Sequence, residues 1–566
     1  MRIAVLNKDR CKPKECNYLC YRICPRVKTG KETIIIDEKT KKPVIIEDLC
    51  SGCGICVKKC PFNSIVIINL PEEIGEPIHQ YGVNGFRLYN LPTPRHGVVG
   101  IIGQNGVGKT TVMKILSGEL KPNLCQGDWD KIVEHFRGRE IQNYLEKLAN
   151  NEIRAVHKPQ YIDSIPKYVK GTVRDVLRDR DEVGNFDEII NEIGLENSLN
   201  KNINELSGGE LQKLAISACL LRDADVYLLD EPSSYLDVRE RLNLARVIRN
   251  IRDKFIFVVE HDLIVLDYLS DYIHVIFGTP GAYGIVSSIK SVRVGINEYL
   301  SGFLRSENIR FRDEIKFEVR EAKGKEERKI TLKYPKFEKS YDGFRLHAEE
   351  GCIRIGITGI LGPNATGKTT FIKILAGVEK PDNKIDIKAR ISYKRQYIKP
   401  RNIIVRNLNL RDEFIRKFNI EHLLDRNLMD LSGGELQRVA IAECLSRDAD
   451  IYLLDEPSAY LDVEERLRLA KLLRKFSTDN EKSLLVVDHD ILLIDYLSDE
   501  LMVFSGKSGI CGNASRQLDM REGMNLFLRE MDVTFRRDPE TGRPRANKPN
   551  SVKDREQKKS GKYYYI

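Results

Sequence analysis

No apolar run in this chain approaches the ~18 residues that a membrane-spanning helix needs, so a helical membrane protein is excluded. The N-terminus lacks the pattern of a secretory signal, because charge and cysteine both appear within eleven residues. No sustained heptad stretch is present to build a long coiled coil. No segment looks like a flavin site or a substrate site for electrons. These absences make the cytosol the expected location. Cysteine is not scarce. Thirteen would suggest disulfides in a secreted chain, but eight fall at metal-ligand spacing, and thiolate ligands need reducing conditions.

At 566 residues the chain should hold several domains of ~100–200 residues each. Hydrophobic content of 41% and charged content of 31% fit a soluble globular protein. The charge is uneven. Residues 1–62 carry fourteen Lys/Arg against seven Asp/Glu, and residues 535–566 carry ten against four. Both ends are basic and the middle is slightly acidic, since the whole chain is only +9. Basic ends point to a polyanionic partner such as RNA, with solvated surface as the alternative.

The chain repeats itself. Asn84-Gly85-Phe86-Arg87-Leu88 returns as Asp342-Gly343-Phe344-Arg345-Leu346, and Asp230-Glu231-Pro232 returns as Asp455-Glu456-Pro457. A further echo pairs residues 292–297 with 520–525, so each half is a module followed by a hinge-like segment. Lys109 to Gln160 spans 51 residues where Lys368 to Gln396 spans 28. The first module thus carries an insert at about 126–153. It reads as two amphipathic helices, with Trp129, Ile132, Val133 and Phe136 on one stripe and Ile141, Tyr144, Leu145 and Leu148 on the other. Gly138 breaks them apart. The insert either binds a partner or packs on its own module.

Two phosphate-binding loops carry the chemistry. The first is Gly103-Gln104-Asn105-Gly106-Val107-Gly108-Lys109-Thr110, followed by Thr111. The second is Gly362-Pro363-Asn364-Ala365-Thr366-Gly367-Lys368-Thr369, followed by Thr370. A strand over 98–102 and a helix from Thr110 should flank the first. Glycines there let backbone N–H groups wrap phosphates at a helix N-terminus. Lys109 and Lys368 should reach the β and γ phosphates, and Thr110 and Thr369 should hold magnesium. The apolar strands 226–229 and 451–454 end in Asp230 and Asp455, which should support the same ion. Glu231 and Glu456 are placed to polarise the attacking water, and His261 and His489 recur after further apolar strands. Phe86 and Phe344 stand 23 and 24 residues before the lysines, with Tyr81 and Tyr341 nearby. Each could stack on adenine or be a core aromatic.

The front end reads Cys11-x4-Cys16-x3-Cys20-x3-Cys24-Pro25, then Cys50-x2-Cys53-x2-Cys56-x3-Cys60-Pro61. The second run is the bacterial ferredoxin pattern, whose fourth cysteine ligates the other cluster. On that logic Cys50, Cys53, Cys56 and Cys24 hold one cluster, and Cys11, Cys16, Cys20 and Cys60 the other. A pair of zinc sites is the alternative. A segment of some 60 residues has a thin core that two clusters would staple, so a rigid basic lever is favoured over a redox centre. Cys125, Cys219, Cys352, Cys444 and Cys511 read as packing.

Over about 74–510 these motifs resemble the ATP-binding cassette (ABC) family, twice. The resemblance implies that Ser207, Gly208, Gly209 and Glu210, and likewise Ser432, Gly433, Gly434 and Glu435, form signature loops, each capping the ATP held by the other module. It implies that Gln160 and Gln396 sense magnesium and water, and that Asp237 and Asp462 couple the sites. With the N-terminal cysteine runs, the insert and the basic tail, the whole chain resembles the class E ATP-binding cassette family, also called the RNase L inhibitor family. The compact N-terminus fits an archaeal member.

The implied fold is multidomain α/β. It comprises a ferredoxin-like double [4Fe-4S] domain (1–73), a first nucleotide-binding domain (74–290), a hinge (291–312), a second nucleotide-binding domain (313–510) and a C-terminal hinge with a basic tail (511–566). The ferredoxin-like domain is tied to the first module near 71–75. The implied activity is ATP hydrolysis that splits terminated or stalled ribosomes. The implied partners are the small subunit and its RNA, a release factor or Pelota-like factor, and initiation factors. The chain is expected to act as a monomer away from membranes. The competing readings are a transporter's ATPase subunit, an iron–sulfur ATPase acting on DNA, and a pure electron-transfer protein.

Overall fold

The structure is a computed structural model describing residues 2–564 except 9, 48, 70–74, 252, 316–327, 384 and 386. It divides into two compact units. One comprises residues 1–234, 246–261 and 269–314, and the other 235–245, 262–268 and 315–566. The expected domain boundary after residue 73, and most of the 71–75 tie, lie outside the described residues. Among the described residues no helix is long and apolar enough to cross a membrane.

In the first unit the cysteine-rich N-terminal domain is closed by its outer strands. Arg2–Leu6 pairs antiparallel with Ile65–Asn69, and the hairpin Ile34–Ile36/Pro43–Ile45 lies between them in sequence. Short helices carry the cysteine runs, and Pro25 begins one of them directly after Cys24. Proline suits that first helical turn because its missing N–H has no helical partner there. One face of the outer strands, Ile3 and Val5 with Ile68, packs on Ala282 of the adjoining cassette.

That cassette is built on β-branched strands buried on both sides, as parallel sheets require. Gly97–Gly103 runs parallel to Tyr272–Thr279, and Val226–Asp230 lies between Ala155–Lys158 and Phe255–Val259. The helix after the first phosphate loop is Lys109–Leu116, one residue longer at its start than expected. The insert forms the helices Trp129–His135 and Ile141–Ala149, with Gly138 in the left-handed region between them. Ile132, Phe136, Tyr144 and Leu145 are buried in the same core as Val112, Ile115 and Leu116. The insert's apolar stripes are therefore satisfied within its own module, leaving its polar faces outward.

The second unit repeats the plan. Gly356–Leu361 lies parallel between Ser483–Val487 and Glu500–Ser505, and Ile451–Asp455 between Ile391–Lys394 and Ser483–Val487. The sheet continues past the expected boundary at residue 510. Cys511–Ala514 pairs with Phe344–Ala348, and Leu518–Asp519 pairs with Glu500–Ser505. A C-terminal hairpin, Phe535–Arg537/Pro544–Ala546, precedes the last helix, Val552–Ser560.

Candidate nucleotide sites and thiol clusters

Each phosphate loop joins a buried strand to a helix whose N-cap is a glycine with positive φ, 97° at Gly108 and 93° at Gly367. A side chain at Gly108 is barred twice over. The conformation is left-handed, and a Cβ there would come 2.6 Å from Phe86 Cζ. Lys109 Nζ donates to the carbonyls of Gly103 (2.9 Å) and Gln104 (2.8 Å), and Lys368 Nζ to those of Gly362 (2.9 Å) and Pro363 (2.6 Å). The ammonium groups thus lie inside the loops. Burial pulls Lys368 down to about 8 against the attraction of Asp237, Glu456 and Asp455.

The hydroxyl and carboxylate partners converge on the loops. Thr110 Oγ1 donates to Asp230 Oδ2 at 2.9 Å. Asp455 interacts with the Thr369 hydroxyl, and burial together with the adjacent Glu456 lifts it to about 6. A hydroxyl beside a buried carboxylate on the phosphate side is a donor set suited to magnesium. Gln160 Nε2 donates to Glu231 Oε1 at 2.6 Å, and Gln396 Nε2 to Glu456 Oε1 at 2.7 Å. His261 Nε2 and His489 Nε2 each lie 3.3 Å from those same oxygens. Burial alone would raise Glu456, yet His489, Lys368 and Lys394 outweigh it and hold the carboxyl below its usual range. One difference separates the modules. Ser234 Oγ donates to Glu231 Oε2 at 3.3 Å, and Ala459 stands at the corresponding place beside Glu456.

The signature segments form capping boxes. Ser207 caps Gly208–Leu220 and Ser432 caps Gly433–Ser446, with Glu210 and Glu435 returning the bond to the serine N–H at 2.9 Å each. Asp237 lies within the second unit, where its Oδ2 accepts from Asn364 N in the second phosphate loop at 2.7 Å. Asp462 caps the helix Val463–Asn480. Tyr81 is 46% exposed with its hydroxyl 3.3 Å from Thr111 Oγ1, and Tyr341 bonds Glu379. Phe86 and Phe344 instead pack against the cores beneath the loops. Tyr81 and Tyr341, 46% and 42% exposed, therefore offer more ring surface for stacking on a base than the two phenylalanines.

The N-terminal thiols fall into two groups of four. Cys11 and Cys20 are raised to about 11 and about 12, first by burial and also by neighbouring thiols that include Cys16 and Cys60. Cys56 is raised to about 11 by burial, then by Cys50, Cys53 and Cys24. The cavity beside Pro13 and Tyr18 is lined by Cys11, Cys16, Cys20 and Cys60. Buried thiols that oppose each other's ionisation need a cation to become thiolates.

Lys158, Lys394, Gln212 and Gln437 belong to the site as well, because they bond the main chain at the glutamates. The signal was present in the recurrence of Lys-x-Gln at 158–160 and 394–396.

Comparison with known proteins places this geometry. The ABC transporter family model matches residues 88–234 and 351–459. A possible Fer4-like domain in RNase L inhibitor matches 1–32, and a 4Fe-4S binding domain matches 43–66. The chain is 55% identical, over 100% of its length and 98% of the relative's, to an uncharacterised ABC transporter ATP-binding protein of Methanocaldococcus jannaschii. The chain belongs to the class E ATP-binding cassette family. Another member, the translation initiation factor RLI1 of Saccharomyces cerevisiae, is 44% identical over 100% of this chain and 98% of its own. A solved structure of ribosome-bound archaeal Pelota and ABCE1 matches with TM-score 0.93 at 54% identity, covering 100% of this chain and 99% of that one. An archaeal ribosome recycling factor in complex with stalk protein aP1 matches with TM-score 0.82 at 53% identity, covering 87% and 99%. As a class E protein the chain is an ATPase with iron–sulfur binding.

Proposed function

We propose that this protein is an ATP-driven ribosome recycling factor that splits terminated or stalled ribosomes in the cytoplasm. It works with a release factor or Pelota-like factor and stays on the small subunit towards initiation. The observation that carries this reading is its end-to-end likeness to a protein solved on the ribosome with Pelota, at TM-score 0.93. The basic N-terminal domain and basic tail supply the charge that RNA contact needs.

Lys109 and Lys368 hold the phosphates of two ATP molecules, with the N–H groups of each loop around them. Each signature loop, Ser207–Glu210 and Ser432–Glu435, caps the nucleotide of the other module. Tethering makes that closure intramolecular. Glu231 and Glu456 orient and polarise the attacking water, His261 and His489 hold those carboxylates, and Gln160 and Gln396 report the state of the site. Thr110, Asp230 and Gln160, and likewise Thr369, Asp455 and Gln396, would hold magnesium, which would supply charge neutralisation during phosphoryl transfer. Tyr81 and its second-module counterpart stack on the base. Cys11, Cys16, Cys20 and Cys60, and likewise Cys24, Cys50, Cys53 and Cys56, would each hold one [4Fe-4S] cluster, and the two would give the N-terminal domain its rigidity. ATP drives that domain against the ribosome only as far as it binds the closed form better than the open one.

The test is sedimentation of ribosomes incubated with anaerobically purified protein, a Pelota-like factor and ATP. Separated subunits, with the protein on the small one under a non-hydrolysable analogue, are expected. Intact ribosomes without co-sedimentation, from protein with its iron in place, would overturn the reading.

A further inference from the structure

Glu231 and Glu456 hold their backbones in the left-handed region, at φ 48° and 47°. Non-glycine residues rarely adopt that region unless the surroundings impose it. The imposing contacts are the same in both modules. On the N–H side, Glu231 donates to Val259 O at 2.9 Å and Glu456 to Val487 O at 2.8 Å. On the carbonyl side stands a buried lysine. Lys158 Nζ donates to Asp230 O at 2.9 Å and Glu231 O at 3.3 Å, and Lys394 Nζ to Asp455 O at 2.8 Å and Glu456 O at 3.1 Å. Gln212 and Gln437 add a second donor to each glutamate carbonyl, at 2.9 and 2.7 Å.

Lys158 is 0% exposed and Lys394 3%. An ammonium is costly to bury without partners. A turn that needed only filling could be filled by leucine or methionine. Here the charge also faces Asp230, Glu231 and Glu260 in the first module, and Asp455, Glu456 and Asp488 in the second. One strand end therefore grips each glutamate twice: the lysine takes its main chain, and the glutamine two residues on takes its carboxylate.

We propose that Lys158 and Lys394 are positioning residues for hydrolysis, holding the peptides of Glu231 and Glu456 in the left-handed turn that aims the carboxylates. The proposal rests on the reading that those glutamates polarise the attacking water. The lysines bond main-chain carbonyls of the acidic pair, so their loss should act on kcat rather than on nucleotide binding.

The experiment compares full-length, cluster-loaded Lys158→Met/Lys394→Met and Lys158→Gln/Lys394→Gln with Glu231→Gln/Glu456→Gln and the parent. Steady-state ATPase, equilibrium binding of a fluorescent ATP analogue and thermal unfolding are measured on each. Small displacements at a reacting centre cost up to 10²-fold, so the methionine pair should lose at least ~10-fold in kcat. Its binding should stay within about twofold and its unfolding profile should remain cooperative. The glutamine pair keeps one N–H donor for the carbonyl and should recover part of the rate. A folded methionine pair hydrolysing at the parent's rate, beside an inactive Glu→Gln pair, would overturn the proposal. So would a loss of binding that matches the loss of kcat, because that marks general damage. An active Glu→Gln pair would instead remove the glutamate reading, and the lysine role with it.

Discussion

Asn84 ties the N-terminal domain to the first cassette by bonding both polar directions of one residue pair. Its Oδ1 accepts from Leu6 N at 2.9 Å, and its Nδ2 donates to Ala4 O at 2.9 Å. Asn84 is 1% exposed and adopts φ 56°, which asparagine tolerates better than most residues. In Asn84→Ala the buried Leu6 N–H loses its partner, a cost of about 1–3 kcal/mol. Faster amide exchange in Arg2–Leu6 and Ile65–Asn69 is expected. Asn84→Gly relieves the backbone but lacks the amide and should behave alike. Unchanged protection in both variants would show that the docking rests on the apolar contacts of Ile3, Val5 and Ala282.

Replacing Glu231 and Glu456 together by glutamine keeps their shape and removes their charge. ATP turnover should fall by about 10²-fold or more, while nucleotide stays bound and the protein stays on the small subunit. Pelleting through a sucrose cushion reads this directly, and release as ready as the parent's contradicts the closed-state scheme.

The thiol grouping predicts which cysteines act together. Cys60→Ser should lose the same cluster as Cys11→Ser, although Cys60 lies in the second run. Cys24→Ser should resemble Cys53→Ser. Iron analysis and electron paramagnetic resonance of the reduced variants separate the two pairs, and Cys60→Ser patterning with Cys53→Ser would reverse the assignment.

Within the second unit, Asp267 bonds Arg543 Nη1 at 3.0 Å and Arg545 Nε at 2.7 Å. Arg543 is fully buried. Asp267→Asn removes the carboxylate charge bonded to a buried guanidinium, and breaking a buried pair typically costs about 3–5 kcal/mol. A lower urea midpoint is expected. A midpoint equal to the parent's would mean that water reaches the C-terminal hairpin.

His274 makes one contribution to the pH dependence of stability. Burial lowers it to about 4, with its Nε2 accepting from Thr93 N and its Nδ1 facing Ser287 O at 2.8 Å. The folded state therefore prefers the neutral ring. That stability is complete above the unfolded pKa of ≈ 6.5 and is lost as pH falls from there towards 4. The slope is at most about 1.4 kcal/mol per pH unit. Thermal unfolding of His274→Gln between pH 7.5 and 4.5 should be flatter than the parent's. Parallel curves would assign the acid sensitivity elsewhere.

The phosphate loops, the Asp-Glu pairs after apolar strands and the eight cysteines were all legible in the sequence. Their chemistry depends on short spacings along one strand, turn or helix start, and such spacings survive in one dimension. The family resemblance followed from the same local patterns. Tertiary structure alone decided where the insert's apolar stripes go, which of Tyr81 and Phe86 stays exposed, and how Asp267 meets Arg543 across 276 residues. It also revealed the grip of Lys158 on Glu231. A lysine inside a strand looks like a solvated charge until the fold buries it. Only the packing of parallel strands far apart in sequence sets its ammonium against carbonyls that give that charge a use.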